Sequence, residues 1–233
     1  MSLLNYMDGN TEREIQRTET DKVRIAVRRI KEFCPPAGYY VAFSGGKDSQ
    51  VILDLVQRAG VKYDAHMNLT TVDPPEVLKF VREHYSYVAL ERPEKAMRTL
   101  IIDNLYPPTR IARYCCKWLK ERGGEGRFVV LGVRAQESSQ RSHRNMVEAC
   151  NKGKGRWFLN PIIDWTEDDV WNYIKKEELP YSSLYDEGQK RIGCILCPMG
   201  NKAQRIQQAE RWPAFKRIYV GAFNEVIRIR TRR

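Results

Sequence analysis

The chain has 233 residues, 42% of them hydrophobic, and its 40 lysines and arginines outnumber 29 aspartates and glutamates for a formal net charge of +11. A chain of this length buries one substantial core with room for an appended helical segment, and no apolar run approaches the roughly 18 residues of a membrane helix, so no membrane partner is expected. The basic excess favours an anionic partner, and six cysteines without an apolar N-terminal signal run fit the reducing cytoplasm better than a disulfide framework.

Residues 11–33 read as an amphipathic helix with Val23, Val27 and Ile30 on one stripe, broken by Pro35 and Pro36. A strand over 39–43 follows, then a glycine-rich turn, a helix containing the apolar run 51–56 and ending at Gly60, and a second strand over 61–69. Pro74 and Pro75 suit a helix start, so 76–84 reads as a helix and 87–90 as a third strand. Helices are expected over 97–105 and 111–122, the latter carrying Cys115 and Cys116 and ending at Gly123-Gly124. The run 128–131 predicts a strand buried on both faces. Thr166 and Asp169 form a capping signal for the helix of Trp171. Strands alternating with helices predict an α/β fold with a doubly wound, mainly parallel sheet, divided as an N-terminal helical segment 1–36, a nucleotide domain 37–200 and a basic C-terminal helical segment 201–233.

The junction between the first strand and its helix reads Ser44-Gly45-Gly46-Lys47-Asp48-Ser49. Unpaired N–H groups and the positive helix end converge there, glycines allow close backbone approach, Ser44 and Ser49 add hydroxyl donors, and Lys47 adds a charge. This predicts a pyrophosphate cradle. It is not a Walker loop, which needs Gly and Ser/Thr where Val41 and Asp48 stand. In such sheets the ends of neighbouring strands meet, so Gly132 and Arg134 are expected beside the loop.

Cys115-Cys116 and Cys194-Ile195-Leu196-Cys197 are the second pattern. Four thiols in this arrangement point to an iron–sulfur cluster, with zinc, a redox disulfide or unliganded thiols as alternatives, although an adjacent pair fits structural zinc poorly. Cys34 and Cys150 read as structural thiols, Cys150 with a sulfur-carrier role as the alternative. Trp118, Trp165, Trp171 and Trp212 read as core or cluster-shielding residues. His66 and His143 lack any partner legible in the sequence.

Together the loop and the cysteines resemble the phosphoadenylylsulfate (PAPS) reductase family of the PP-loop ATP pyrophosphatases, which have an adenine nucleotide alpha hydrolase-like fold. Further segments agree in order: Thr71-Val72-Asp73-Pro74-Pro75-Glu76, with Pro-Pro where the family has Thr-Gly; Gly132-Val133-Arg134-Ala135-Gln136-Glu137-Ser138 with Arg141; and Asn160-Pro161-Ile162-Ile163-Asp164-Trp165-Thr166 with Leu179-Pro180-Tyr181. The resemblance implies a [4Fe-4S] cluster on Cys115, Cys116, Cys194 and Cys197, and ATP with Mg2+ at Ser44, Gly45, Gly46, Lys47, Asp48, Ser49, Gly132 and Arg134. Lys47, Asp48, Arg134 and Arg141 would carry the chemistry.

Two departures shape the functional expectation. No cysteine follows Cys197, whereas the reductases carry a catalytic one near the C-terminus, and Lys47-Asp48 is intact, as an ATP tail requires. The combination resembles the sulfur-transfer branch, including the DNA phosphorothioation enzymes. The resulting expectation is an ATP pyrophosphatase that adenylylates an acceptor for iron–sulfur-assisted sulfur transfer, with a sulfur-donor partner protein and DNA or tRNA as acceptor. The alternatives are a sulfonucleotide reductase borrowing its nucleophile from a partner, and a non-catalytic nucleotide-sensing module. Two basic segments support a nucleic-acid acceptor: Arg134, Arg141, Arg144, Lys152, Lys154 and Arg156, and the run Arg228, Arg230, Arg232 and Arg233.

Overall fold

The structure, a computed structural model, describes residues 9–150 and 155–232, with side chains from residue 21 onward. In chain order the elements are α1 (Gly9–Glu32), β1 (Tyr39–Phe43), α2 (Lys47–Ala59), β2 (Tyr63–Asn68), α3 (Pro75–His84), β3 (Ala89–Glu91), α4 (Met97–Asn104), β4 (Phe128–Val130), α5 (Ser139–Ser142), β5 (Val147–Ala149), β6 (Trp157–Leu159), α6 (Glu167–Lys176), α7 (Lys202–Arg211) and α8 (Pro213–Thr231). No helix among the described residues is long and apolar enough to cross a membrane.

The strands form one sheet in the order β3-β2-β1-β4-β6-β5. β2 pairs with β3, β1 with β4 and β4 with β6 in parallel, and β5 runs antiparallel on β6. The expected α/β class with a mainly parallel sheet is what is found. The chain moves outward from β1 through β2 to β3 and returns to β4 on the other side of β1. Strand order therefore reverses between β1 and β4, where Tyr40 pairs with Val129 and Val41 with Val130. In open α/β sheets ligands bind beyond the carboxyl ends of the strands at such a reversal.

The chain falls into two compact units. In the first, α2 packs between α1 and α6 and against β1, and is buried almost all round, from Lys47 and Ser49 through Val51, Ile52, Leu55 and Val56 to Ala59. Ala26 and Ile30 of α1 are fully buried, and the Tyr39 hydroxyl donates to the Ile30 carbonyl at 2.9 Å. Charge pairs fasten the same helix: Arg29 forks onto Asp164 at 2.8 and 2.9 Å and donates to Pro161 O, while Lys22 meets Asp169 at 2.5 Å. Thr166 caps α6 reciprocally with Asp169, as the capping signal predicts. Trp165 is buried in this unit.

The second unit is built on α4 and α8, whose contact is filled by Leu100, Ile101, Tyr219, Ala222 and Val226 together with Val72, Leu119, Cys115 and Cys194. Trp212 is buried here, whereas Trp118 is 45% exposed and is not a core residue. The expected helix over 111–122 also needs correction. The chain turns at Thr109, whose hydroxyl accepts from Ala112 N, and Cys116–Lys120 winds as a π-helical turn closed by Glu121 N donating to Cys116 O at 2.9 Å. A turn of this width brings adjacent residues closer to one face than the 100° step of an α-helix does. Strand β5 was not anticipated, because three residues, Val-Glu-Ala, carry no period a sequence can display.

Candidate active site

Between β1 and α2 the chain makes the expected strand–loop–helix junction, with the first helical residue at Lys47. The two glycines differ in why they are there. Gly45 has φ +70°, and a Cβ on it would lie 2.7 Å from Val77 Cγ1 and 3.0 Å from Val81 Cγ2, so both backbone and packing demand glycine. A Cβ on Gly46 would meet only the Ser44 and Tyr185 hydroxyls, each at 3.5 Å, an ordinary contact. Protein packing therefore leaves the Gly46 position open, beside two hydroxyl groups.

At the start of α2 a ring of polar contacts closes through residues far apart in sequence. Arg134, 3% exposed, donates from Nε to Asp48 Oδ1 at 2.5 Å and from Nη1 to Gln136 Oε1 at 3.3 Å. The same Gln136 oxygen accepts the Glu167 N–H at 2.7 Å, and the Glu167 carboxylate lies 3.5 Å from Lys47 Nζ. Lys47 completes the ring at 3.7 Å from Asp48 Oδ2. Its side chain is 4% exposed, an unusual depth for a lysine, with the Asp48 and Glu167 carboxylates beside it. Gly132 permits the closure: a Cβ there would stand 2.8 Å from the Asp48 carbonyl oxygen. The sequence expectation that Gly132 and Arg134 meet the loop thus holds for Asp48.

Arg141 is placed differently. It ion-pairs with Glu137, whose carboxylate also accepts the Arg134 N–H at 3.1 Å, and its own N–H caps onto Ser138 Oγ at 3.3 Å. Ser49 is buried and Ser44 exposed. Gln136, Glu167 and Tyr185 escaped the sequence reading. Gln136 lies inside the quoted 132–138 segment, but nothing in a glutamine or in the first residue of a capped helix announces that they bridge.

The four cysteines share the apolar cluster of the second unit, Cys115 and Cys194 buried and Cys116 and Cys197 half-buried beside it. Among the described residues, no three His, Cys, Asp or Glu side chains stand around one point as metal ligands do. The thiols are nonetheless coupled. The Cys115 thiol donates to Cys116 and, with Arg113 3.5 Å from its sulfur, holds Cys116 down to about 5 against the upward push of burial. Cys115 is correspondingly pushed up by that bond and by burial. Burial raises Cys194, whose Sγ lies 3.5 Å from Thr70 Oγ1. Thr70 is in turn gripped by Asp73 at 2.6 and 2.8 Å, and Ile195 N donates to Val72 O at 2.8 Å. The segment after β2 thereby clasps the Cys194–Cys197 turn, with Thr71 held at φ +63°, a strained setting for a β-branched residue. Lys120 was not singled out from sequence. Desolvation lowers its pKa, but Cys194 and Asp73 pull it up and prevail.

The two basic segments part company in the structure. Arg134 and Arg156 are buried, Arg141 and Arg144 are paired with Glu137 and Glu148, and Lys152 and Lys154 lie outside the described residues. Arg228, Arg230 and Arg232 on the last turns of α8 are exposed, Arg228 sharing Glu225; Arg233 lies outside the described residues. His66 has a partner after all, Glu91 at 3.0 Å.

Comparison with known proteins agrees with this architecture. The phosphoadenosine phosphosulfate reductase domain matches residues 38–200. An adenosine 5'-phosphosulfate reductase of Staphylococcus haemolyticus is 29% identical over 76% of this chain and 77% of that protein. Adenosine 5'-phosphosulfate reductase 2 of Bacillus subtilis is 26% identical over 79% of this chain and 82% of its own length. An uncharacterized protein of Methanocaldococcus jannaschii is 31% identical, but the chain spans 42% of it. Among solved structures, the phosphoadenylyl-sulfate reductase of Candida auris in its phosphate complex superposes with a TM-score of 0.56 at 19% identity, over 81% of this chain and 96% of that one. The FMN adenylyltransferase of Candida glabrata with FAD and inorganic pyrophosphate gives 0.55 at 13% identity, over 77% and 63%. At these identities the two structures speak for the fold.

Proposed function

Because the chain belongs to the phosphoadenosine phosphosulfate reductase family, we propose that it is a PP-loop ATP pyrophosphatase which adenylylates an acceptor and so readies it for sulfur transfer. The observation that carries this reading is the deeply placed Lys47 in an intact Ser44–Ser49 loop, tied through Asp48 to Arg134. Ser44, Gly45, Gly46 and Ser49 hold the ATP pyrophosphate, and the Lys47 ammonium neutralises it. Asp48 is the residue that would hold Mg2+, a cation that supplies charge neutralisation for the leaving pyrophosphate. Arg134 orients the Asp48 carboxylate, and Arg141 is steered by Glu137.

An acceptor oxygen forms a bond to the α phosphorus, the bond to the bridging oxygen breaks, pyrophosphate leaves with the electron pair, and the acceptor proton passes to solvent. A sulfide-level sulfur released by a partner protein then attacks the adenylylated atom of the acceptor, that atom's bond to the AMP oxygen breaks, AMP leaves with the electron pair, and the sulfur's proton passes to solvent. Positioning and fixed charge do most of such work, so these residues matter more than any general base. The exposed arginines at the end of α8 support DNA or tRNA as the acceptor.

Cys115, Cys116, Cys194 and Cys197 would hold a [4Fe-4S] cluster. Four thiols at one apolar cluster, with Cys116 held toward the thiolate, are the donor type such a cluster takes, although among the described residues no three of them stand around one point, so loading it requires the thiols to converge. When bound, the cluster supplies sulfur relay or electrostatic positioning.

A second reading, a sulfonucleotide reductase using a partner's thiol as nucleophile and reductant, is favoured by the adenosine 5'-phosphosulfate reductase relatives. The experiment that separates them is anaerobic incubation of the full chain with ATP and nucleic acid, and separately with adenylyl sulfate and a thiol partner, with products read by mass spectrometry. Pyrophosphate and AMP support adenylylation; sulfite without pyrophosphate selects the reductase.

A further inference from the structure

Beside the cysteine turn the second unit holds a cavity of about 550 Å³ whose lining includes none of the loop residues. One wall is aromatic: Tyr219 and Phe223, one turn apart on α8, tilt toward each other with ring centroids 6.1 Å apart. Leu196 and Pro198, on either side of Cys197, form another. The segment Pro107-Pro108-Thr109 continues the lining, Arg110 and Arg205 are its two charged residues, and no carboxylate is among the residues that line it. Arg110 is tethered, its Nε donating to the Pro198 carbonyl at 3.3 Å. The Tyr219 hydroxyl is already engaged by Ile195 O at 3.2 Å, so its ring presents an apolar face.

The volume lies in the range of small-ligand sites, and the composition matches them: an apolar body with a few polar groups that fix orientation. Two cations at an apolar, aromatic-walled space select an anion carried on a flat hydrophobic body, because guanidiniums bind carboxylate, sulfonate or phosphate oxygens while rings stack. Leu196 is held at φ +58°, a conformation rare for a bulky residue, and strain of this kind collects where a binding surface is shaped against local preference. We propose that this cavity is a binding site for a small planar aromatic anion, seated between the Tyr219–Phe223 wall and the Cys197 turn with its charged group on Arg110 and Arg205. The inference does not depend on the reading of the Ser44–Ser49 loop.

The test uses the full chain and 1-naphthalenesulfonate as probe, followed by calorimetry and by amide shifts of 15N-labelled protein. Saturable one-to-one binding is expected with a Kd below about 1 mM, with shifts centred on residues 196–198 and 219–223. The neutral analogue 1-naphthalenemethanol should bind about tenfold more weakly. Changing Arg110→Gln and Arg205→Gln together, both exposed residues, should remove that preference for the anion, and Phe223→Ala should weaken both probes. Unchanged melting temperature of the arginine variant verifies folding. Absence of saturation at millimolar probe, or binding that neither the arginine pair nor Phe223 alters, overturns the proposal.

Discussion

The loop at the start of α2 and the cysteine cluster under α8 hold their reactive groups by opposite means. Around the loop the work is done by polar groups brought from positions 47, 48, 134, 136 and 167 into a ring of ion pairs and hydrogen bonds. Around Cys115 and Cys194 it is done by apolar packing against Leu100, Ile101, Tyr219 and Val226. The first arrangement is directional and sensitive to single atoms, since a charge at Lys47's depth loses water and needs each partner in place. The second is tolerant in direction, but its thiols respond to burial and to one another.

The sharpest way to break the contrast is at the two glycines. Gly45→Ala forces a left-handed alanine and a 2.7 Å contact with Val77, so it should cost about 2–4 kcal/mol of stability. Gly46→Ala, with 3.5 Å of room, should melt within a degree or two of the parent yet weaken ATP. Thermal melting and ATP titration of both variants check this, and equal melting of the two would mean that the loop does not close on Val77 as described.

Lys47→Ala comes next. Loss of one charge-assisted phosphate contact should weaken ATP binding or turnover by about 1.5–3 kcal/mol, roughly ten- to a hundredfold. Stability should change little, because the Asp48–Arg134 bond at 2.5 Å persists and still anchors the loop. ATP binding indifferent to the substitution would remove the loop from the proposed chemistry.

On the cysteine side, anaerobic protein should contain about four irons per chain. Cys194→Ser should abolish that content, whereas Cys34→Ser should leave it untouched, as measured by iron analysis and visible absorption. Stoichiometric zinc in protein from iron-replete cells would select the zinc alternative.

The smallest effect concerns pH. Burial would raise Asp164 and Asp169, but Arg29 and Lys22 outweigh it, and both carboxyls titrate below their usual range. A depressed folded pKa gives stability that is full above the unfolded value near 3.8 and lost as pH falls through the folded value. Asp164 is about half exposed, so solvent screening limits its pair to a few tenths of a kcal/mol, and the more enclosed Lys22–Asp169 pair to roughly 1 kcal/mol. Amide protection factors in α1, referred to the intrinsic exchange rate at each pH, should therefore fall below about pH 4, while those of α4, held by apolar contacts, should not follow.

Local signals made much of this protein legible before any coordinates. A strand–Gly-Gly–helix junction, a Thr-x-x-Asp cap and an apolar run of four are written in neighbouring residues, so β1, α2, α6 and β4 stand where the sequence puts them, and alternation of strand and helix determined the sheet class. Tertiary structure decided what depends on distant partners. Only folding reveals that Gly45 is fixed by Val77 and Gly46 is not, that Gln136 joins Arg134 to the start of α6, and that Arg141 and Arg144 are spent on nearby carboxylates while Arg228 and Arg230 face solvent. The same is true of the π turn at Cys116–Lys120, where packing of Cys115 and Leu119 into the α4–α8 core prevails over the helical pattern of the sequence. Propensity and motif spacing act within a few residues, whereas burial, ion-pair choice and the fit of a glycine are settled by whatever the rest of the chain brings alongside.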